Sequence, residues 1–188
     1  MTIQKAGTEL AYTVTYLEMT ARPPYDWPHL PAGSTAALLM SEKPPVWWFL
    51  ALYDAVGRDY AWEDIHKREH DELEAWLQSE TSLLYTLFDQ GWPQGFFLID
   101  RQDAGVTDLA YFGMVPEAVG RGLGGWLLRT AILTAWDYPG VEKVTVNTCT
   151  LDHPRALALY QKNGFTPVRR EDKTRILTRD RDLRRIPS

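Results

Sequence analysis

Between Leu10 and Met19 the chain alternates, with Tyr12, Val14 and Tyr16 on one face and Thr13, Thr15 and Leu17 on the other, which is the period of a β-strand. Pro23, Pro24, Pro28, Pro31 and Gly33 then forbid regular structure, so residues 21 to 45 read as mostly loop. Val46 to Val56 is apolar without strict alternation and predicts a helix, broken at Gly57-Arg58-Asp59. A second helix is expected from Glu63 to Gln78, where Ile65, Leu73, Trp76 and Leu77 are the apolar positions of a charged stretch. Thr81 to Phe88 and Phe96 to Arg101 read as strands around the turn Asp89-Gln90-Gly91-Trp92-Pro93, and Ala104-Gly105 marks the next turn.

From Asp108 to Val115 the pattern is again that of a strand, followed by a glycine-rich segment and a helix to about Trp136. Val141 to Thr148 is a further strand, with Val144, Val146 and Thr148 sharing a face. Asp152-His153-Pro154 predicts a helix start, an acceptor side chain followed by proline in the first turn, and Asn163-Gly164 its end. Phe165 to Arg170 and Arg175 to Thr178 read as two last strands joined by a turn at Glu171-Asp172-Lys173. The order is strand, two helices, three strands, helix, strand, helix, two strands, an α/β (α+β) arrangement expected to form one domain over residues 1–188.

Composition narrows the class. The chain has 188 residues, 45% hydrophobic and 24% charged, enough for one sizeable core. A formal net charge of -5 argues against a nucleic-acid partner held through phosphates. The single cysteine, Cys149, excludes an internal disulfide and a cysteine-rich metal site. Met1 to Lys5 lacks the apolar core of a signal peptide, and no apolar run reaches membrane-spanning length. The expectation is a soluble cytoplasmic protein with no nucleic-acid or membrane partner, with monomer or homodimer left open. The eight tryptophans read mainly as packing residues.

The chemistry centres on Val119-Gly120-Arg121-Gly122-Leu123-Gly124-Gly125. Glycines between a strand and a helix let backbone N–H groups converge at the positive end of the helix dipole, a site for phosphate. A tight turn that only permits close packing is the plainest alternative. A dinucleotide site wants Gly-x-Gly-x-x-Gly early in a domain, whereas here the spacing is Gly120-x-Gly122-x-Gly124 and lies late in the chain. A phosphate-loop NTPase needs Gly-Lys-Ser/Thr, and Gly125-Trp126 does not supply it.

Tyr111 to Leu128 resembles the acetyl-CoA motif of the GNAT superfamily of N-acetyltransferases: a hydrophobic strand, the turn Val115-Pro116-Glu117, the glycine loop and a Leu127-Leu128 helix. Ala156-Leu157-Ala158-Leu159-Tyr160-Gln161-Lys162-Asn163-Gly164-Phe165 is similar to the family's second signature, and the two stand in the expected order. Two positions depart from the pattern: Val119 stands where Arg or Gln is usual, and His153 replaces the Asn that opens the last helix. The resemblance implies a mixed, mostly antiparallel sheet of about seven strands flanked by about four helices, and acetyl-CoA as co-substrate. It implies that the backbone near Phe112 bonds the acetyl carbonyl and that Met114 and Val115 pair with the pantetheine arm. Val119, Gly120, Arg121, Gly122, Leu123, Gly124 and Gly125 would then hold the pyrophosphate, with His153 near the cofactor arm. Tyr160 matches the residue that protonates the departing sulfur; by spacing alone it is equally a packed aromatic. Asp108, ahead of Glu117, is the candidate base.

The acceptor pocket is expected in the segment Tyr53 to Asp64 between the first two helices, with Tyr53, Asp59, Tyr60 and Trp62 receiving a cationic amine, and a polar loop anchored by two aromatics is the equal alternative; Trp47 and Trp48 are further candidates for the pocket wall. A nucleophilic arrangement of Cys149, Asp152 and His153 competes with a plain buried cysteine, which is favoured. His66 and His70 have metal-binding spacing but lie in a charged helix with no third ligand, and no metal is expected. The leading expectation is acetyl transfer to the primary amine of a small molecule. A peptide amine acceptor, a non-catalytic acetyl-CoA-binding module and a nucleotide-binding protein are the alternatives.

Overall fold

The computed structural model describes residues 3–101 and 103–186. In chain order its elements are β1 (Ile3–Gln4), β2 (Glu9–Met19), β3 (Ala37–Ser41), α1 (Val46–Gly57), α2 (His70–Leu77), β4 (Ser82–Asp89), β5 (Trp92–Asp100), β6 (Val106–Met114), α3 (Leu123–Trp136), β7 (Lys143–Cys149), α4 (Ala156–Lys162), β8 (Thr166–Ile176) and β9 (Arg181–Asp182). Seven strands form one sheet in the order β3-β4-β5-β6-β7-β2-β8, and β1 pairs with β9 separately. Every neighbouring pair in the large sheet is antiparallel except β6 and β7. This is the mixed, mostly antiparallel sheet with four α-helices that the sequence predicts.

The central strand β5 shows why the elements form. Phe96, Phe97, Leu98 and Ile99 are all fully buried, a continuous apolar run, because helices cover both faces of the sheet. On one face α3 packs Leu127, Leu128, Ala131 and Ile132 against Phe97, Ile99, Val144 and Val146. On the other, α1 and α2 pack Phe49, Leu52, Val56, Leu73 and Leu77 against Leu84, Phe96 and Leu98. Each such large side chain contributes about 1.5–3 kcal/mol when fully buried.

Between β6 and β7 the sheet opens. Their pairing covers only Val106↔Lys143, Thr107↔Val144 and Asp108↔Thr145. Just beyond, the β5–β6 register shifts so that Leu98 faces Tyr111 while Ile99 faces Leu109, leaving Ala110 as a bulge that bends β6. The later part of β7 pairs with β2 instead, Val14 with Cys149 and Tyr16 with Asn147. A V-shaped gap therefore lies between the ends of β6 and β7.

Four local expectations are corrected. Residues 37–41, expected as loop, form the edge strand β3. The helix expected over Glu63 to Gln78 is divided into a 3₁₀ turn at Ile65–Lys67 and α2, with Arg68 and Glu69 extended between them. Tertiary bonds override the helical pattern there: Glu63 accepts the N–H of Thr178, and Asp64 accepts the hydroxyls of Tyr53 and Tyr111. The two last strands are the single strand β8, which runs straight through Glu171-Asp172-Lys173. Finally, α4 starts at Ala156, and Asp152 does not cap it. Its carboxylate turns back to accept the Cys149 N–H at 2.7 Å and the Thr148 hydroxyl at 2.8 Å. Among the described residues no helix is long and apolar enough to cross a membrane.

Candidate active site

The gap between β6 and β7 opens into a cavity of about 650 Å³. One half is lined by Phe112 and Met114 of β6, by Ala118, Val119 and the four glycines of the loop that follows, and by His153, Leu159 and Tyr160. The chain reaches this loop through a 3₁₀ turn at Pro116–Ala118 and an extended Val119. Gly120 and Gly122 then take φ of +85° and +83°, a left-handed conformation open to glycine, and α3 begins at Leu123. Among the described residues the N–H groups of Gly120, Gly122, Leu123, Gly124 and Gly125 have no partner within the chain. A Cβ added at Gly120, Gly122 or Gly125 would meet nothing within 4 Å, so the loop borders open space at a helix N-terminus. That donor set fits a diphosphate.

Of the residues expected to hold the cofactor, Phe112, Met114, Val119, Gly120, Gly122, Gly124, Gly125 and His153 line the cavity. Arg121, Leu123 and Val115 do not. Arg121 turns away to bond Gln94 Oε1 at 2.8 Å and Asp89 Oδ2 at 3.2 Å, tying the loop to the β4–β5 turn. Leu123 is buried in the core. Val115 is a correction: its N–H donates to the Gln94 carbonyl and its carbonyl accepts from Ala118, so its backbone is already paired inside the chain.

Tyr160 is buried in the cavity wall, its ring edge-on to Phe112 at 6.3 Å and to Phe165 at 5.9 Å. Burial, followed by the charges of Asp152 and Asp108, pushes its phenol far above the ordinary value of 10.0. It therefore keeps its proton at neutral pH. Asp108 occupies the last paired position of β6 before the gap and accepts the Thr145 hydroxyl at 2.5 Å. Burial raises its carboxyl pKa, against the lowering effect of that bond. Asp108 does not line the cavity, although its neighbour Leu109 does, and Glu117 is exposed outside it. Burial, then Arg155, lowers the His153 pKa, so the ring is neutral at pH 7, and its Nδ1 accepts the Arg155 N–H at 3.1 Å.

The other half of the cavity is where an acceptor has room. Of the residues expected there, Tyr60 and Trp62 line the cavity, and Tyr53 and Asp59 are not in its lining. Tyr53 is fully buried and donates to Asp64 Oδ1 at 2.6 Å; Asp59 is buried and paired with Arg185 at 2.8 Å. Trp47 is exposed, and Trp48 stacks on Phe88 away from the cavity. Asp64, the end of the segment expected to form the acceptor pocket, lines the cavity as well, and its second oxygen accepts the Tyr111 hydroxyl at 2.5 Å. Sequence reasoning missed Asp152, held by Trp62 Nε1 at 2.9 Å, and the β2 and β8 side chains Tyr12, Tyr16, Lys173 and Arg175. The alternation of Tyr12, Val14 and Tyr16 signalled their shared face; the same period in Arg169, Glu171, Lys173 and Arg175 was the unused signal. Cys149 lines the cavity too, but burial, then Asp152, pushes its thiol up to about 11, far from a nucleophilic thiolate. His66 is paired with Asp54 at 2.9 Å.

A splayed mixed sheet with a glycine cradle at the start of α3 defines a class of acyl-group transferases, and the comparisons agree. The acetyltransferase (GNAT) family model matches residues 20–165, and the chain belongs to that family. It is similar to a mycothiol acetyltransferase of Beutenbergia cavernae, 36% identical over 110 residues, which cover 56% of this chain and 34% of that protein. Its fold is similar to that of a GCN5-related N-acetyltransferase from Sphaerobacter thermophilus, with a TM-score of 0.58 and 20% identity over 93% of this chain and 53% of the other. A second GCN5-related N-acetyltransferase, from Kribbella flavida, gives a TM-score of 0.56 and 18% identity over 86% of this chain and 56% of the other. The chain thus spans about a third of the curated relative and little more than half of each structural one.

Proposed function

We propose that the chain is an acetyl-CoA-dependent N-acetyltransferase that acts on the primary amine of a small molecule by direct attack. The observation that carries this reading is the set of unpartnered N–H groups in the loop Gly120 to Gly125, at one end of a cavity that has Tyr160 in its wall. Acetyl-CoA supplies an activated acetyl thioester. The glycine loop binds its pyrophosphate, and the backbone near Phe112 and Met114 orients the arm along the open edge of β6. Holding both reactants in one cleft removes much of the entropic barrier. Tyr160, kept protonated by burial, gives its proton to the departing sulfur. Asp108 is the preferred acceptor of the amine proton: its raised pKa makes it a stronger base than an ordinary carboxylate, and it stands at the vertex of the gap. Because Asp108 is outside the cavity lining, that proton passes through water. Glu117 has no such position.

The test is thiol release from acetyl-CoA across a panel of small primary amines. The reading expects release that depends on a particular amine. Tight acetyl-CoA binding without release over the whole panel would instead mark a non-catalytic binding module.

A further inference from the structure

The geometry points to an acceptor that carries a carboxylate as well as its amine, with Arg175, supported by Lys173, as the carboxylate subsite. This deepens the acetyltransferase reading and rests on it. Among the described residues, Asp64 and Arg175, of opposite charge, line the acceptor half of the cavity without an ion-pair partner, and Asp152 is a further carboxylate in the same wall. Asp64 has each oxygen held by a tyrosine hydroxyl and no cation beside it. Arg175 donates from Nη1 to the Ala61 carbonyl and from Nη2 to the Tyr12 hydroxyl at 3.4 Å, both neutral groups; its Nε has no partner but is itself buried, so the remaining Nη hydrogens are the ones left to meet a ligand. The acid that acts on it from a distance, Glu63, gives one oxygen to the Thr178 N–H and keeps its buried Oε2 without a partner. A guanidinium in a cavity wall with only neutral acceptors is a receptor for a planar anion.

The strand pairing builds the rest. Tyr12 lies directly opposite Lys173 across the β2–β8 pair, and Val14 opposite Glu171. Alternation then puts Arg169, Glu171, Lys173 and Arg175 on the face that carries Tyr12 and Tyr16. Arg175 lies over the Tyr12 ring at 4.8 Å and Arg169 over the Tyr16 ring at 3.7 Å. Glu171 is the carboxylate of this row and is shared by Arg169 at 3.1 Å and Lys173 at 3.4 Å. The row therefore has an excess of positive charge in a chain whose net charge is -5. Asp64, on the segment between α1 and α2, is the negative pole of the same cavity, with the rings of Tyr12, Tyr60 and Trp62 also in its wall. An aminocarboxylate matches both poles; a simple alkylamine leaves Arg175 unanswered.

The experiment compares amino acids of increasing amine-to-carboxylate spacing with their carboxamides, at equal concentrations of neutral amine. One readout is kcat/KM for thiol release; the other is the melting temperature of the acetyl-CoA-bound protein with each amine added. We expect at least one aminocarboxylate to exceed its carboxamide by about tenfold or more in kcat/KM, mainly through KM. The same compound raises the melting temperature. Arg175→Gln narrows that ratio to within about threefold, and Lys173→Met, at a half-exposed side chain of the cavity wall, lowers it partially. Carboxamides equal to or better than every carboxylate would overturn the inference while leaving the acetyltransferase reading intact. Binding of aminocarboxylates without thiol release would overturn that reading and keep the subsite.

Discussion

The donor and acceptor halves of the cavity are built in opposite ways. The donor half is made of backbone: glycine N–H groups, an open strand edge and one buried tyrosine, all inside the stretch 20–165 that matches the family. The acceptor half is made of side chains, and much of its wall comes from β2 and β8, at residues 9–19 and 166–176, outside that stretch. A backbone cradle tolerates change in every side chain but its glycines, so it is inherited as a motif. A side-chain wall can be remade residue by residue. The difference explains how family membership speaks for the donor and leaves the acceptor to this chain's own geometry.

Several substitutions would break or sharpen that division. The largest effect is expected from Gly122→Val. Valine is strongly disfavoured at a φ of +83°, and its Cβ enters the space the loop leaves for a diphosphate. The KM for acetyl-CoA should rise by about 100-fold or more, the loss of a few charge-assisted bonds, with little change in KM for the amine. Next is Tyr160→Phe, which keeps the packing against Phe112 and Phe165 but removes the hydroxyl that the proposed mechanism uses as proton donor. Its kcat should fall by about 100-fold, with acetyl-CoA affinity nearly unchanged in calorimetry. Unchanged turnover would remove Tyr160 as the acid.

Gly57→Ala tests the other half. An added Cβ would stand 2.3 Å from the Trp62 ring, which lines the acceptor side and donates to Asp152. Overpacking should cost about 1–3 kcal/mol in urea unfolding and raise the amine KM, while acetyl-CoA binding is preserved. The smallest effect concerns Asp108. Because burial raises its pKa above 3.8, the folded chain binds that proton more tightly than the unfolded chain. Its contribution to stability is complete below about pH 4 and is lost as pH rises through the raised value. Asp108→Asn keeps an acceptor for Thr145, so its melting temperature should exceed that of the wild type at about pH 8 and match it below about pH 4.

What was legible in the sequence follows the same division. The glycine loop and the helix carrying Tyr160 could be read because their signals are local: turn glycines and short spacings. Strand β5 was legible as an unbroken apolar run, since both its faces are covered. The edge strand β3 was not, because proline-rich flanks precede it and its Leu39 and Met40 are exposed. Strand β8 was misread as two because it is a sheet edge with a polar cavity on one face and solvent on the other. Hydrophobic alternation has nothing to report there, and Glu171-Asp172-Lys173 imitates a turn. Asp64 was legible only as one of the carboxylates in the segment between the first two helices, since its pairing with Tyr53 and Tyr111 depends on their meeting in the folded chain.

The most direct test of the central claim is a calorimetric titration of the wild-type chain with acetyl-CoA, ATP and NAD in separate runs. The cradle at Gly120 to Gly125, continued along the open edge of β6, predicts saturable one-to-one binding of acetyl-CoA at least about tenfold tighter than that of either nucleotide. Equal or tighter binding of ATP or NAD would contradict it.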